Sequence, residues 1–477
     1  MGGGPAGLSA ALALRAAGLP AVVLERRTES TVRPGSRAAY LHGASLRELE
    51  RLSPGLGHEI AGRGVMWATK RSFWAGKEVY TRTYPPVTRE GLPHFTSLPQ
   101  VITEDLMAAA CRKQGVEFHW GVEITSALST PEGVLLKDSA GREWQAEYVV
   151  AADGSRSALR SAIGSPLEGP RSRNTFVVVD LDDDPEHHPL PMERVFHYRH
   201  PNVGGRNVLT VPFAGGWRVD LNLLVNDDPE RFVSPEGLRR WIPRILPEAY
   251  GDRVRWVSTY RFAQQVAERF TDAHRRVLLT GEAAHLFAPF GARGMNSSVP
   301  DAVRAVEAVT EALEKEGDRA AAGAAIARFA QERKEAATYN RACASAALEH
   351  MLAHRPSLWL RQRAAAAVAE GRPQGGRVAG LRAVRPEADG AGSGPRLVLS
   401  GRPRPLRRRP VPGRRIPRAG PAARAAAGGS APPAAPRWEN VSALGQGGST
   451  GVPARIIRAT ARTASTTESR RAGEKAR

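Results

Sequence analysis

Residues 2–7, GGGPAG, place Gly2, Gly4 and Gly7 in the spacing GxGxxG directly ahead of an apolar helical pattern, and nothing else in the chain restricts the fold as strongly. In that spacing the first glycine makes a tight turn, the second lets the backbone approach a pyrophosphate, and the third lets helix and strand pack closely. Pro5 and Ala6 lie in the same turn and count with it as ligand-facing. Alone, such a run also describes an ordinary glycine turn before a helix. The continuation narrows it: AVVLE at 21–25 reads as a buried strand ending in Glu25, followed by Arg26. A carboxylate there, about 20 residues past the turn, can accept hydrogen bonds from a ribose.

The pattern stays mixed α/β beyond this unit. Apolar periodicity predicts helices over 7–17, 46–52 and 104–115, and strands at 116–121, 134–137 and 147–151. Between about 173 and 261 the period becomes strand-like, as in NTFVVVDLD, RNVLTVPF and WRVDLNLLV, which reads as an inserted, mostly antiparallel sheet. The strand RVLLTG follows, then an Ala-rich helical region over 301–370.

A chain of 477 residues has ample core for two or three domains. Its net charge of +20 would point to nucleic acid or an anionic surface, but residues 371–477 hold 22 Lys and Arg against 5 Asp and Glu. The remaining 370 residues are close to neutral, so no specific nucleic-acid partner is expected of the folded part. Cys111 and Cys343 have neither a metal nor a redox spacing and are expected to be small core residues. The start lacks a basic leader, Arg15 interrupts its apolar run, and no apolar stretch is long enough to span a bilayer. A cytoplasmic protein is expected.

Two further segments complete the set of motifs. GEAAHLFAPFGARGMN at 281–296 begins after an apolar strand and runs into a helix expected near Asn296. Glu282 at the strand end can hold ribityl or ribose hydroxyls, and Gly291 and Gly294 let backbone amides approach a polar ring edge. His285 reads as a structural histidine. YVVAADGSRSALR at 148–160 is a strand followed by Asp153 and Gly154, by itself an ordinary turn.

Together these segments resemble the FAD-dependent monooxygenases of the aromatic-hydroxylase type over most of residues 1–370, on a branch whose members carry FGARGMNS. The family order is GxGxxG with a ribose-binding acid, an Arg followed by Ala, a Gln before a helix, a DG motif, and a GDAAH motif leading to a Pro and GxGMN. This chain follows it with Gly2, Gly4, Gly7 and Glu25, then Arg37, Gln100, Asp153 with Gly154, Gly281 with Glu282, Pro289, and Gly294, Met295 and Asn296. The resemblance implies that Arg37 and Gln100 approach the FAD phosphates and ribityl chain, and that residues 294–296 approach the flavin. It implies an α/β fold: a Rossmann-like FAD-binding domain of the glutathione-reductase type, an inserted substrate sheet and C-terminal helices. The FAD domain would comprise 1–72 and 99–170, the substrate domain 73–98 and 171–265, and 266–370 the return with the C-terminal helices.

The activity so implied uses NADH or NADPH and dioxygen to hydroxylate an aromatic or polyketide-like molecule through a flavin hydroperoxide. The cofactor does the hard chemistry, so no general base is assigned, and Phe176, Phe196, Phe213 and Trp217 are the expected pocket roof. The alternatives are another flavoprotein oxidoreductase of the same fold, or an inactive relative that does not retain FAD. Three departures bear on the choice. Glu282 stands where the family has Asp. Met1 stands directly before the fingerprint, where the family has a buried strand, which is expected to reflect a start assigned too late. After 370 the chain turns Arg/Pro/Gly-rich, which is expected to be disordered and reads like out-of-frame GC-rich DNA: one codon choice for 378–389 gives WLDSGPYGP in the adjacent frame, similar to the ending of the same branch.

Overall fold

The computed structural model describes residues 1–352 apart from 32–34, 37, 85–90, 173 and 316. Arg37 and the basic tail at 371–477 therefore lie outside the described residues. The opening helix runs Pro5–Ala16, with Gly4 in extended conformation before it and Pro5 at its first position, where a missing N–H costs nothing. Behind it, Val22–Glu25 pairs in parallel with Glu117–Trp120, and Val149–Ala151 pairs in parallel with Val277–Leu279. Met1 and Gly2 connect the two pairs. The Met1 ammonium donates to the Val150 carbonyl at 2.8 Å, the Ala152 amide to the Met1 carbonyl at 2.8 Å, and the Gly2 amide to the Leu24 carbonyl at 2.8 Å.

The helices Gln100–Lys113 and Arg293–Glu314 lie with Pro5–Ala16 on one core. Leu8, Leu12, Leu46, Met107, Val299 and Val303 fill it, the burial of each side chain contributing about 1.5–3 kcal/mol relative to leaving it exposed. Four helix starts come earlier in the chain than the periodicity predicts, at Pro5, Gly43, Gln100 and Arg293. Pro99 ends the preceding extended segment so that Gln100 already begins its helix, and left-handed Ala292 turns the chain so that Arg293 begins the next. The expected helical stretch over 301–370 is two helices within the described part, Arg293–Glu314 and Arg319–Leu352, separated at Gly317 with φ of +105°.

The inserted domain is a seven-stranded sheet ordered Val254–Tyr260, Phe176–Asp182, Gly216–Asn222, Arg206–Phe213, Glu193–His200, Thr69–Trp74 and Lys77–Thr83. Every neighbouring pair is antiparallel except Glu193–His200 with Thr69–Trp74. The strand Thr69–Trp74 crosses the division expected between 72 and 73. One face of the sheet packs Val177, Val179, Trp217 and Val219 against Leu238, Trp241 and Tyr250. Trp217 belongs to this face, with its indole N–H donating to Asp183 at 2.9 Å, so it points away from the expected pocket. Cys111 is buried, its thiol pushed up to about 12 by burial, whereas Cys343 is only half-buried rather than in the core. No helix among the described residues is long and apolar enough to cross a membrane.

Candidate cofactor and substrate site

A cavity of about 1090 Å³ runs from the glycine turn to the second face of the sheet. Gly2, Gly4, Pro5 and Ala6 line it together with Glu25, Arg26 and Asp153, and Gln100, Glu282, Pro289, Gly294 and Met295 line it as well. Gly7, Gly281 and Asn296 stand behind these lining positions.

The turn has the shape a pyrophosphate needs. Gly2 sits at φ of +99°, with the Ala152 carbonyl where a side chain would be, and a Cβ on Gly7 would overlap the Gly2 carbonyl. Gly4 has no atom within 4 Å of its Cβ position, which leaves its backbone open to the cavity. Two helix N-termini converge here, at Pro5 and Arg293, and neither helix has an acid in its first turn. Their unpaired amides and positive dipole ends favour an electron-rich ligand, and Arg47 and Arg156 add positive charge to the lining.

Glu25 is buried and accepts from the Gly3 amide at 2.5 Å and from the Arg27 amide and guanidinium at 3.0 and 2.9 Å. Burial pushes its carboxyl up, but those donors outweigh burial and hold it below its ordinary value. Glu25→Ala is therefore expected to lower the unfolding free energy by about 2 kcal/mol at neutral pH, one charged hydrogen bond's worth, as read by urea denaturation. A carboxyl held low when folded contributes above its unfolded pKa and loses that contribution as it protonates. The deficit of the variant should accordingly shrink as pH falls below about 4.

Gln100 accepts from the Ala38 amide at 3.2 Å and donates to Glu104 at 2.7 Å, while Asp153 accepts from Ser157 Oγ at 2.6 Å and the Leu159 amide at 3.2 Å. Asn296 is fully engaged with protein. Its Oδ1 accepts from the His42 amide and Ser45 Oγ, both at 2.8 Å, and its Nδ2 donates to the Tyr40 and Ala292 carbonyls at 3.0 and 2.8 Å. Glu282 is exposed to the cavity and makes no hydrogen bond to a described residue.

His285 is buried and pairs through Nε2 with Asp301 Oδ2 at 2.6 Å. Asp301 also accepts from Arg333 Nε at 2.8 Å and from the Gly281 amide at 3.2 Å, tying the loop to both long helices. Sequence reasoning passed over Asp301 and Arg333. It also passed over the charged part of the sheet, where Arg194, Arg218 and Asp220 line the cavity beside Trp256, Tyr260 and Phe262. A signal was present in WRVDLN: polar residues at alternate positions of an apolar strand mark a face that meets something other than core. Of the expected roof aromatics, Phe213 lines the cavity, and Phe176 and Phe196 pack behind it with Phe262 and Phe290.

Fold and site define a dinucleotide-binding domain whose cleft is closed at one end by a second sheet. The chain belongs to the FAD binding domain family, whose model matches residues 1–340. It is 28% identical over 322 residues to the 3-(3-hydroxy-phenyl)propionate/3-hydroxycinnamic acid hydroxylase of Mycobacterium avium, covering 63% of this chain and 52% of that protein. It is 30% identical over 313 residues to rifampicin monooxygenase of Streptomyces venezuelae, covering 63% of this chain and 61% of that protein. The crystal structure of p-nitrophenol 4-monooxygenase from Pseudomonas putida superimposes with a TM-score of 0.65 at 26% identity, covering 79% of this chain and 94% of that one. The chain spans about half the length of the curated hydroxylases it matches.

Proposed function

We propose that the protein is an FAD-dependent monooxygenase that uses NADH or NADPH and dioxygen to hydroxylate a small, electron-rich aromatic or polyketide-like molecule. The observation that carries this reading is one continuous cavity with a dinucleotide cradle at one end and an aromatic, partly charged roof at the other. At about 1090 Å³ it exceeds the roughly 300–1,000 Å³ of a single-ligand pocket. When bound, FAD supplies the redox chemistry, accepting electrons from the nicotinamide and delivering one oxygen atom of dioxygen.

The residues of this chain bind, orient and exclude water. The Gly2 to Gly7 turn and the N-terminus of Pro5–Ala16 would hold the pyrophosphate, Glu25 and Arg26 the adenosine end, and Gln100, Asp153 and Glu282 the ribityl region. The backbone of Gly294 and Met295 would meet the ring edge, and Asn296, behind them, would hold this helix start in place through its side-chain bonds to residues 40–45 and Ala292. Pro289 and Phe290 line the cavity, Phe290 packing on Phe176 and Phe262 of the roof, and would keep solvent from the reacting atoms.

The test is purification followed by a flavin spectrum and an oxygen electrode. The expected result is a yellow protein whose NADH or NADPH oxidation and dioxygen uptake both rise on adding a phenolic substrate. Nicotinamide oxidation without dioxygen uptake would instead assign another flavoprotein oxidoreductase, and failure to bind added FAD would overturn both.

A further inference from the structure

The cavity face of the seven-stranded sheet has an ordered distribution of charge. Ladder partners lie side by side on one face, so the register Ser258, Val178, Asp220, Leu209, Phe196 forms one row across five strands. The row on one side of it holds Trp256, Asp180, Arg218 and Val211, and the row on the other holds Tyr260, Phe176 and Asn222. The charged end is internally satisfied. Asp180 accepts from the Ser36 amide at 2.6 Å, from Ser36 Oγ at 2.8 Å and from Arg218 Nε at 3.1 Å. The apolar end closes on Phe262 and Phe290.

Asp220 stands where the two ends meet. It lines the cavity, its Oδ1 is buried, and no described residue donates a hydrogen bond to it. A buried carboxylate oxygen without a donor is costly unless a ligand supplies one.

We infer that Asp220 is the acceptor for a hydroxyl of the substrate, so that the site takes a neutral phenol or enol whose ring lies toward Phe262 and Phe290. This rests on the monooxygenase reading. In the reaction Asp220 acts as general base: the substrate O–H bond breaks, its proton passes to a carboxylate oxygen, and the electron pair left on oxygen raises the electron density of the ring that is to be attacked. No electrons leave the substrate in this step. Burial pushes the Asp220 carboxyl up to about 6, Arg218 and Arg194 oppose the rise, and Asp180 adds to it. A base of that strength is ionised at neutral pH yet closer to a phenol than an ordinary carboxylate is.

The experiment measures binding apart from turnover. Equilibrium dialysis on the FAD-loaded protein, with 2-naphthol and 2-methoxynaphthalene as probes, reads whether the site demands a donor. The native protein is expected to prefer the naphthol by about 100-fold, because the ether leaves the carboxylate unpaired. Asp220→Leu should reduce that preference to below about 5-fold while retaining flavin. Asp220→Asn, which still accepts a hydrogen bond, should keep the Kd for 2-naphthol within about 5-fold. On whichever phenol supports turnover it should lower kcat by about 100-fold and remove the acidic limb near pH 6 from kcat. Equal preference for the two probes in native protein and Asp220→Leu overturns the inference, as does an Asp220→Asn enzyme with native kcat and pH profile. Loss of the monooxygenase reading would show instead as absent dioxygen uptake in the native protein, and the dialysis ratio does not depend on it.

Discussion

Gly7→Ala is expected to give a protein that loses FAD by more than about 100-fold in affinity, equivalent to about 2.7 kcal/mol, and about 3 kcal/mol of stability. The methyl group would overlap the Gly2 carbonyl and touch Ala152 Cβ at 3.5 Å. Neither neighbour can withdraw. Gly2 is fixed by the hydrogen bond its amide donates to the Leu24 carbonyl, by its left-handed backbone, and by the Ala152 carbonyl against its other side. The turn must therefore open, which moves the helix N-terminus that faces the cavity. Gly4→Ala provides the contrast, because its new Cβ meets no protein atom within 4 Å. It should cost under about 1 kcal/mol in urea denaturation, as a changed helix cap does, yet weaken FAD binding in a flavin-fluorescence titration, because the methyl group enters the open side. Native FAD affinity in Gly7→Ala would show that the close approach of helix to turn does not shape the site.

How far the sequence alone reaches is clear from these same elements. The glycine turn, the strand ending in Glu25 and the inserted sheet were legible because each depends on local pattern: φ permissiveness, a short apolar run, alternation with period two. Trp217 was placed on the wrong face because alternation identifies two faces without saying which meets a ligand. Its neighbours Arg218 and Asp220 hold that information, since a charged residue on an otherwise buried strand must answer to something across the sheet. The donors that surround Glu25, Asp153 and Asn296 depend on tertiary approach and leave no local trace. Asn296 is an example, for its amide group joins residues 40–45 to the helix Arg293–Glu314.

Asp301 was the least legible residue of the site, a single acid early in an Ala-rich helix, and its removal is expected to have the largest effect on stability. Its carboxylate lies between His285, Arg333 and the Gly281 amide, with His285 and Asp301 both at 1% exposure. Burial drives its carboxyl up, but His285 and Arg333 more than offset this and hold it below the ordinary carboxylate range. Deleting one member of a buried charged cluster leaves the others desolvated without a partner, at a cost of about 3–5 kcal/mol. Asp301→Ala should therefore fall in Tm by about 5 °C by calorimetry at pH 7. Because the folded value is depressed, the native contribution is complete above the unfolded pKa of about 3.9 and is lost as pH falls through the folded value. The Tm gap should stay level from pH 8 to 5 and close only in acid. The effect should also reach the cavity, since His285 stacks on Phe287 with ring centroids 4.5 Å apart, and Phe287 and Glu282 both line it. Weaker flavin binding in Asp301→Ala, partly recovered in Asp301→Asn, would trace the path from this buried cluster through residues 281–287. A native Tm in Asp301→Ala would show that packing alone holds the loop.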